Sequence, residues 1–137
     1  MAIVNKSTEI GQELLPVTKH VSLENMRLYS GWTSRNVHTD WATAKAAGLP
    51  APIAQGLMSN AYLVEMLANS FGPGWFQAGK LSIAFAKYVV PGDTITAKGV
   101  IREKAIEGDA VRFSVEVWCE NDSGDKVTVG SANAVVR

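Results

Sequence analysis

Residues 111–119 alternate apolar and polar at period two. Val111, Phe113, Val115, Val117 and Cys119 face one way, and Arg112, Ser114, Glu116 and Trp118 the other. Such alternation predicts a half-buried strand over "AVRFSVEVWCE". "TITAKGVIREKAI" repeats it, with Ile95, Ala97, Gly99 and Ile101 set against Thr96, Lys98, Val100 and Arg102. "KLSIAFAKYVV" puts Leu81, Ile83, Phe85 and Lys87 on one face, and "KVTVGSANAVV" reads as a last strand. Turn residues separate these runs at Pro91-Gly92-Asp93, Glu107-Gly108-Asp109 and "NDSGD". Neighbouring strands joined by tight turns imply an antiparallel sheet.

The first half reads as helices and loops. Ser22 can cap a helix over "LENMRLYS", ended by Gly31. Asp40 or Thr39 can cap a second over "WATAKAA", stopped at Gly48-Leu49-Pro50. The third, "GLMSNAYLVEMLANSF", has Glu65 as its one charged residue and is apolar almost all round, which predicts burial on most sides. Gly72-Pro73-Gly74 then breaks the chain. A buried helix needs a large apolar surface, and the sheet is the one available. The expectation is an α+β fold in which an antiparallel sheet wraps a central helix.

Composition narrows the choice of partner. A chain of 137 residues with 47% hydrophobic and 19% charged residues predicts one globular domain spanning residues 1–137. Thirteen basic residues balance thirteen acidic ones, which gives no reason to propose nucleic acid or an anionic membrane. One cysteine cannot form an internal disulfide and fits a reducing cytoplasm. The stretch "MAIVNKSTEIGQELLP" has no signal-peptide apolar core, and no run is long enough to span a bilayer. Two separated histidines and one cysteine predict no metal site, and the glycines form no phosphate loop, so no cofactor is expected.

The remaining chemistry concentrates between Arg35 and Gly56. His38 can change charge near neutral pH, and Asp40 follows two residues later. Gly56 would open the buried helix, where unpaired N–H groups and the helix dipole favour negative charge. The order "HTD", then "PIAQG" at a helix start, then "VVPGDTI" in a strand meander resembles the MaoC-like branch of the hot-dog fold, roughly from Val17 to the end. That branch includes R-specific enoyl-CoA hydratases. Its hallmark loop reads Gly-Asp-x-Asn-Pro-x-His-x-Asp, followed by a helix and Pro-Ile-Ala-His-Gly. Gly31, His38, Asp40, Pro52, Ile53, Ala54 and Gly56 match, as does the Pro91-Gly92-Asp93-Thr94 turn. The family's catalytic aspartate precedes its histidine by five residues, where Thr33 stands, and Gln55 replaces the usual second histidine. The loop is also one residue longer.

The resemblance implies reversible hydration of an enoyl thioester linked to coenzyme A or a carrier protein. This reaction needs a base for water, an acid for C2 and a donor for the thioester oxygen. His38 is the expected proton carrier, with Asp40 as orienting or assisting partner and the Gly56 amide as oxyanion donor. Ser34, Arg35, Asn36 and Gln55 are expected to position water or polarise the carbonyl. The structural alternatives are equally concrete. Asp40 can be a plain helix cap, Gln55 a satisfied buried amide, and Arg35 a neighbour that neutralises a carboxylate. His20 reads as surface, Cys119 as core, and Trp75 and Phe76 as packing. The implied assembly is a homodimer, or a heterodimer with a related chain. The competing functions are a non-catalytic acyl-thioester-binding partner subunit and a hot-dog thioesterase.

Overall fold

Helix caps decide where the first half folds. Ser22 accepts a 3.0 Å hydrogen bond from the Asn25 N–H and starts α1, Leu23–Ser30, which ends at Gly31. Asp40 starts α2, Trp41–Ala46, by accepting from the Thr43 N–H at 2.9 Å. The long apolar run forms α3, Gly56–Phe71, over its predicted length. The computed structural model describes residues 3–137. The Gly-Pro-Gly stretch is a corner, not an end: α4, Pro73–Ala78, follows at once. Pro73 sits in its first turn, where a missing N–H has no helical partner to lose.

Five strands complete the chain: β1 Val17–His20, β2 Lys80–Phe85, β3 Thr94–Glu107, β4 Ala110–Glu120 and β5 Lys126–Val136. They form one antiparallel sheet in the order β1-β3-β4-β5-β2. β3 and β4 are joined through Gly108 and Asp109, with Gly108 at φ +64°, a left-handed conformation that glycine adopts without steric strain. Two strand expectations change. β1 lies within the half read as helices and loops; its four residues show too little alternation to be seen, and its pairing with β3 (Val17 opposite Ala97) places it. β2 stops at Phe85, short of Val90, because the Ala86 and Lys87 N–H groups both turn to the Val127 carbonyl and the ladder ends.

The sheet packs its apolar row against α3. Met58, Leu63, Met66, Leu67 and Phe71 of the helix meet Ile95, Ala97, Ile101, Phe113, Val115 and Val117 of the sheet in one core. This is the expected α+β hot-dog arrangement, with the wrap confined to one side of the helix. Leu57, Ala61, Glu65 and Asn69, four residues apart, form an outward stripe. The segment before β1 runs on along the same edge of β3: Leu14 N–H donates to the Gly99 carbonyl and Ile101 N–H to the Gln12 carbonyl, both at 2.9 Å. No helix among the described residues is long and apolar enough to cross a membrane.

The two sides of α3 carry different energies. Leu67 is 0% exposed and Leu57 61% exposed. Leu67→Ala is expected to lower unfolding free energy by about 2–5 kcal/mol, through lost burial and the cavity left behind. Leu57→Ala should stay within about 0.5 kcal/mol of the parent. Urea denaturation followed by circular dichroism checks both; equal losses would contradict this orientation of the helix.

Candidate active site

Thr39 organises the loop between α1 and α2. It is 2% exposed, and its hydroxyl donates to the Ser34 carbonyl at 2.7 Å while accepting from the Asn36 N–H at 3.0 Å. Its own carbonyl accepts from Arg27 Nε at 3.1 Å. Asn36 Oδ1 in turn accepts the His38 N–H at 2.8 Å. These bonds fix the backbone at His38 before its side chain makes any contact.

The imidazole is then anchored from its other end. His38 Nδ1 lies 2.8 Å from the Ile53 carbonyl oxygen. A carbonyl only accepts, so Nδ1 carries the proton, and in the neutral ring Nε2 keeps its lone pair. The Ile53 N–H donates back to the Val37 carbonyl at 3.0 Å. Loop and helix approach are thus tied in both directions, and the free nitrogen is available as a base.

Ile53 also begins the wall of a pocket. A cavity of about 190 Å³ opens at the start of α3, with Gln55, Gly56, Ser59, Phe85, Tyr88 and Thr128 among its lining residues. Gly56 is the first helical residue, so its N–H has no carbonyl one turn earlier to bond to. Gln55 precedes it and makes no side-chain cap; its Oε1 is buried without a hydrogen-bond partner. The Phe85 ring lies where a Cβ on residue 56 would stand, so glycine here answers to packing as well as to any ligand.

The other expected residues separate into groups. Gln55 and Gly56 line the pocket; His38 does not line it and touches one of its lining residues, Ile53, at the backbone carbonyl. Asn36 positions the His38 backbone and does not line the pocket. Ser34 supplies a carbonyl to Thr39, and its hydroxyl donates to the Ser30 carbonyl at 3.3 Å. Thr33 and Arg35 are exposed. Asp40 serves as the α2 cap: Oδ2 accepts both the Thr43 hydroxyl at 2.7 Å and the Thr43 N–H at 2.9 Å. Those two bonds, then the charges of Arg35 and Arg27, hold its carboxyl below the usual range, so it is ionised at neutral pH. The orienting contacts on His38 come from Asn36 and Ile53.

Outside the site, His20 is exposed on β1 with Nδ1 3.3 Å from Thr94 Oγ1. Cys119 is buried, and burial pushes its thiol up to about 12, which suits core and not nucleophile. Trp75 is buried packing, whereas Phe76 stands exposed. Thr39, offered by the pattern only as an alternative cap for α2, instead holds the loop, and pattern reading missed Arg27, Phe85 and Thr128 as parts of this region. Thr128 had a signal: it falls in the helix-facing row of β5, where Gly130, Ala132 and Ala134 are small and apolar.

A family model described as "MaoC like domain" matches residues 5–119. The chain belongs to the MaoC-like family. The match begins earlier than the "HTD…PIAQG" pattern implied, taking in the segment before β1, and ends before β5. None of the curated proteins matches the sequence. Solved structures share the fold. The (R)-hydratase of A. caviae involved in PHA biosynthesis superposes with a TM-score of 0.77 at 20% identity, over 96% of this chain and 98% of that one. An R-hydratase of Pseudomonas aeruginosa in the unliganded form gives 0.76 at 23% identity, over 99% and 91%. The ChsH1-ChsH2 complex of Mycobacterium tuberculosis gives 0.76 at 17% identity, over 95% and 99%.

The cap on α2 of this MaoC-like chain has a definite pH signature. Asp40 titrates below 3.8 in the folded state and near 3.8 when unfolded. Its contribution is therefore present above that pH and lost as pH falls through the folded value. Asp40→Asn keeps a cap of similar quality, so the Tm at pH 7 should be nearly unchanged. The parent Tm should fall more steeply than the variant's below about pH 4. Thermal scans from pH 2 to 7 test this, and parallel curves would remove the cap assignment.

Proposed function

We propose that this MaoC-like protein is a hydro-lyase that reversibly adds water across the C2–C3 double bond of a 2-enoyl thioester carried by coenzyme A or a carrier protein. The observation that carries the reading is the segment Ile53–Gly56. Its first carbonyl holds His38 by Nδ1, and its last residue opens α3 on to a pocket where Gln55 Oε1 lacks a partner.

The walls of that pocket include no carboxylate, and Thr33 stands at the family's aspartate spacing. One imidazole therefore performs both proton transfers. His38 Nε2 takes a proton from water as the water oxygen bonds to C3. The π electrons pass through C2 to the thioester oxygen, which the Gly56 N–H and the helix dipole stabilise. The imidazolium returns the proton to C2, the carbonyl re-forms, and His38 ends as it began. Gln55 Oε1 accepts the second O–H of the water, holding it without taking a proton. Asp40 holds the start of α2, and Asn36 the His38 backbone. Ser34 and Arg35 belong to the loop that frames them.

Membership of the family supports the reaction class. β2, an edge strand whose Lys80, Ser82 and Ala84 are exposed, supports assembly as a dimer. An unpaired edge is a liability that pairing with a second chain removes. A buried, unpaired Cys119 suits a reducing cytoplasm. The missing carboxylate favours one second reading, a partner subunit that binds acyl thioesters and depends on a related chain for chemistry.

The reaction is followed as loss of conjugated thioester absorbance with crotonyl-CoA and longer or branched enoyl-CoAs. His38→Ala is expected to lower turnover by about 10²–10⁴-fold while still binding a saturated acyl thioester. Parent-like turnover in His38→Ala would remove His38 as catalyst. A parent protein inactive alone and active only when mixed with a related chain would establish the partner reading. Light scattering at micromolar concentration should give twice the monomer mass, and a monomer would overturn the edge pairing.

A further inference from the structure

We propose that the pocket at the start of α3 selects a short acyl group carrying a hydroxyl beyond the two reacting carbons. This rests on the hydro-lyase reading for the thioester and on the pocket itself for the rest.

Size sets the length. An apolar cavity of about 150 Å³ takes benzene, six heavy atoms. The 190 Å³ here leaves room for the thioester end and roughly four acyl carbons with an oxygen. On the sheet side the cavity is bounded by β5 and β4. Thr128 pairs across the sheet with Cys119, a fully buried residue whose Sγ lies 3.7 Å from the Ser59 carbonyl. A chain extending toward the sheet would have to displace that contact.

Polarity sets the chemistry. Thr128 is 1% exposed and Ser59 4% exposed, and both line the cavity. Thr128 breaks the row of Gly130, Ala132 and Ala134 that otherwise gives β5 an apolar, helix-facing side. With Gln55 and the exposed Tyr88 they make four oxygen-bearing side chains along one small cavity, which Lys87 also lines. An alkyl chain entering it would strip water from these groups and offer nothing in return, which is a penalty. A ligand hydroxyl both donates and accepts, so it satisfies them. A site built to hydrogen-bond a hydroxyl discriminates strongly against the analogue lacking it.

The test compares 4-hydroxycrotonyl-CoA, crotonyl-CoA and 2-octenoyl-CoA as substrates of the full chain. In parallel, 4-hydroxybutyryl-CoA and butyryl-CoA are titrated calorimetrically as non-reacting ligands. The hydroxylated member of each C4 pair should be favoured by about 10–100-fold, the size of one unpaired buried polar group. Octenoyl-CoA should be the poorest of the three. Thr128→Val should collapse the preference, and Thr128→Ser, which keeps the hydroxyl, should retain it. A preference for octenoyl-CoA, no preference within the C4 pairs, or an unchanged preference in folded Thr128→Val overturns the proposal. If no enoyl thioester is hydrated but the calorimetric preference holds, the hydro-lyase reading fails and the pocket assignment stands.

Discussion

The tie between His38 and Ile53 is the contact on which the site depends. It joins two pieces of chain that share no secondary structure: a loop between two short helices and the approach to the long one. Neither is rigid alone. α1 and α2 have eight and six residues, lengths at which an isolated helix is marginal in water. The loop is held because Thr39 gathers Ser34, Asn36 and Arg27 around a single buried hydroxyl and carbonyl. The reciprocal bonds Val37–Ile53 and His38–Ile53 then transfer that order to the start of α3. Two backbone-anchored bonds therefore fix the His38 ring, as the proposed proton transfer requires.

The sheet supplies what the loop lacks. α3 keeps its position because its buried face is matched by the helix-facing rows of β3, β4 and β5. Its N-terminus stays accessible because Gly56 is stacked by a ring and not by backbone. The same helix that anchors the core therefore offers a free N–H to the pocket.

Much of this was legible in the pattern of residues, and the reasons for the remainder are physical. Ser22, Asp40 and Gly31 marked their helix ends because capping is local chemistry. The strands β3 and β4 showed through their alternation, with Ile95, Ala97 and Ile101, and Val111, Phe113, Val115, Val117 and Cys119, on the helix side. β1 was hidden because four residues carry little period and its stability comes from a partner some 80 positions away in sequence, as in Val17 and Ala97. Asp40 could be read as cap or as partner of His38, since two residues of spacing fit either; only the position of Thr43 decides for the cap. His38 was visible as a motif, but the carbonyl that sets its tautomer was not, because any residue at position 53 carries one. Thr39 was readable only as a possible cap for a similar reason: a threonine in a polar loop is ordinary until its burial is known.

The Phe85 ring over Gly56 links two positions that sequence alone keeps apart. The ring comes from the end of an edge strand and is largely exposed, so it can swing aside. A methyl group at position 56 would therefore be absorbed by moving the ring, and the fold would survive. What changes is the outline of the cavity, because Phe85 is one of its walls. Substitutions at 56 and 85 are thus epistatic: an alanine at 56 that reshapes the cavity beside Phe85 becomes nearly silent beside a small residue at 85. A lineage could cross from one pairing to the other only through an intermediate that keeps its stability and alters its ligand choice.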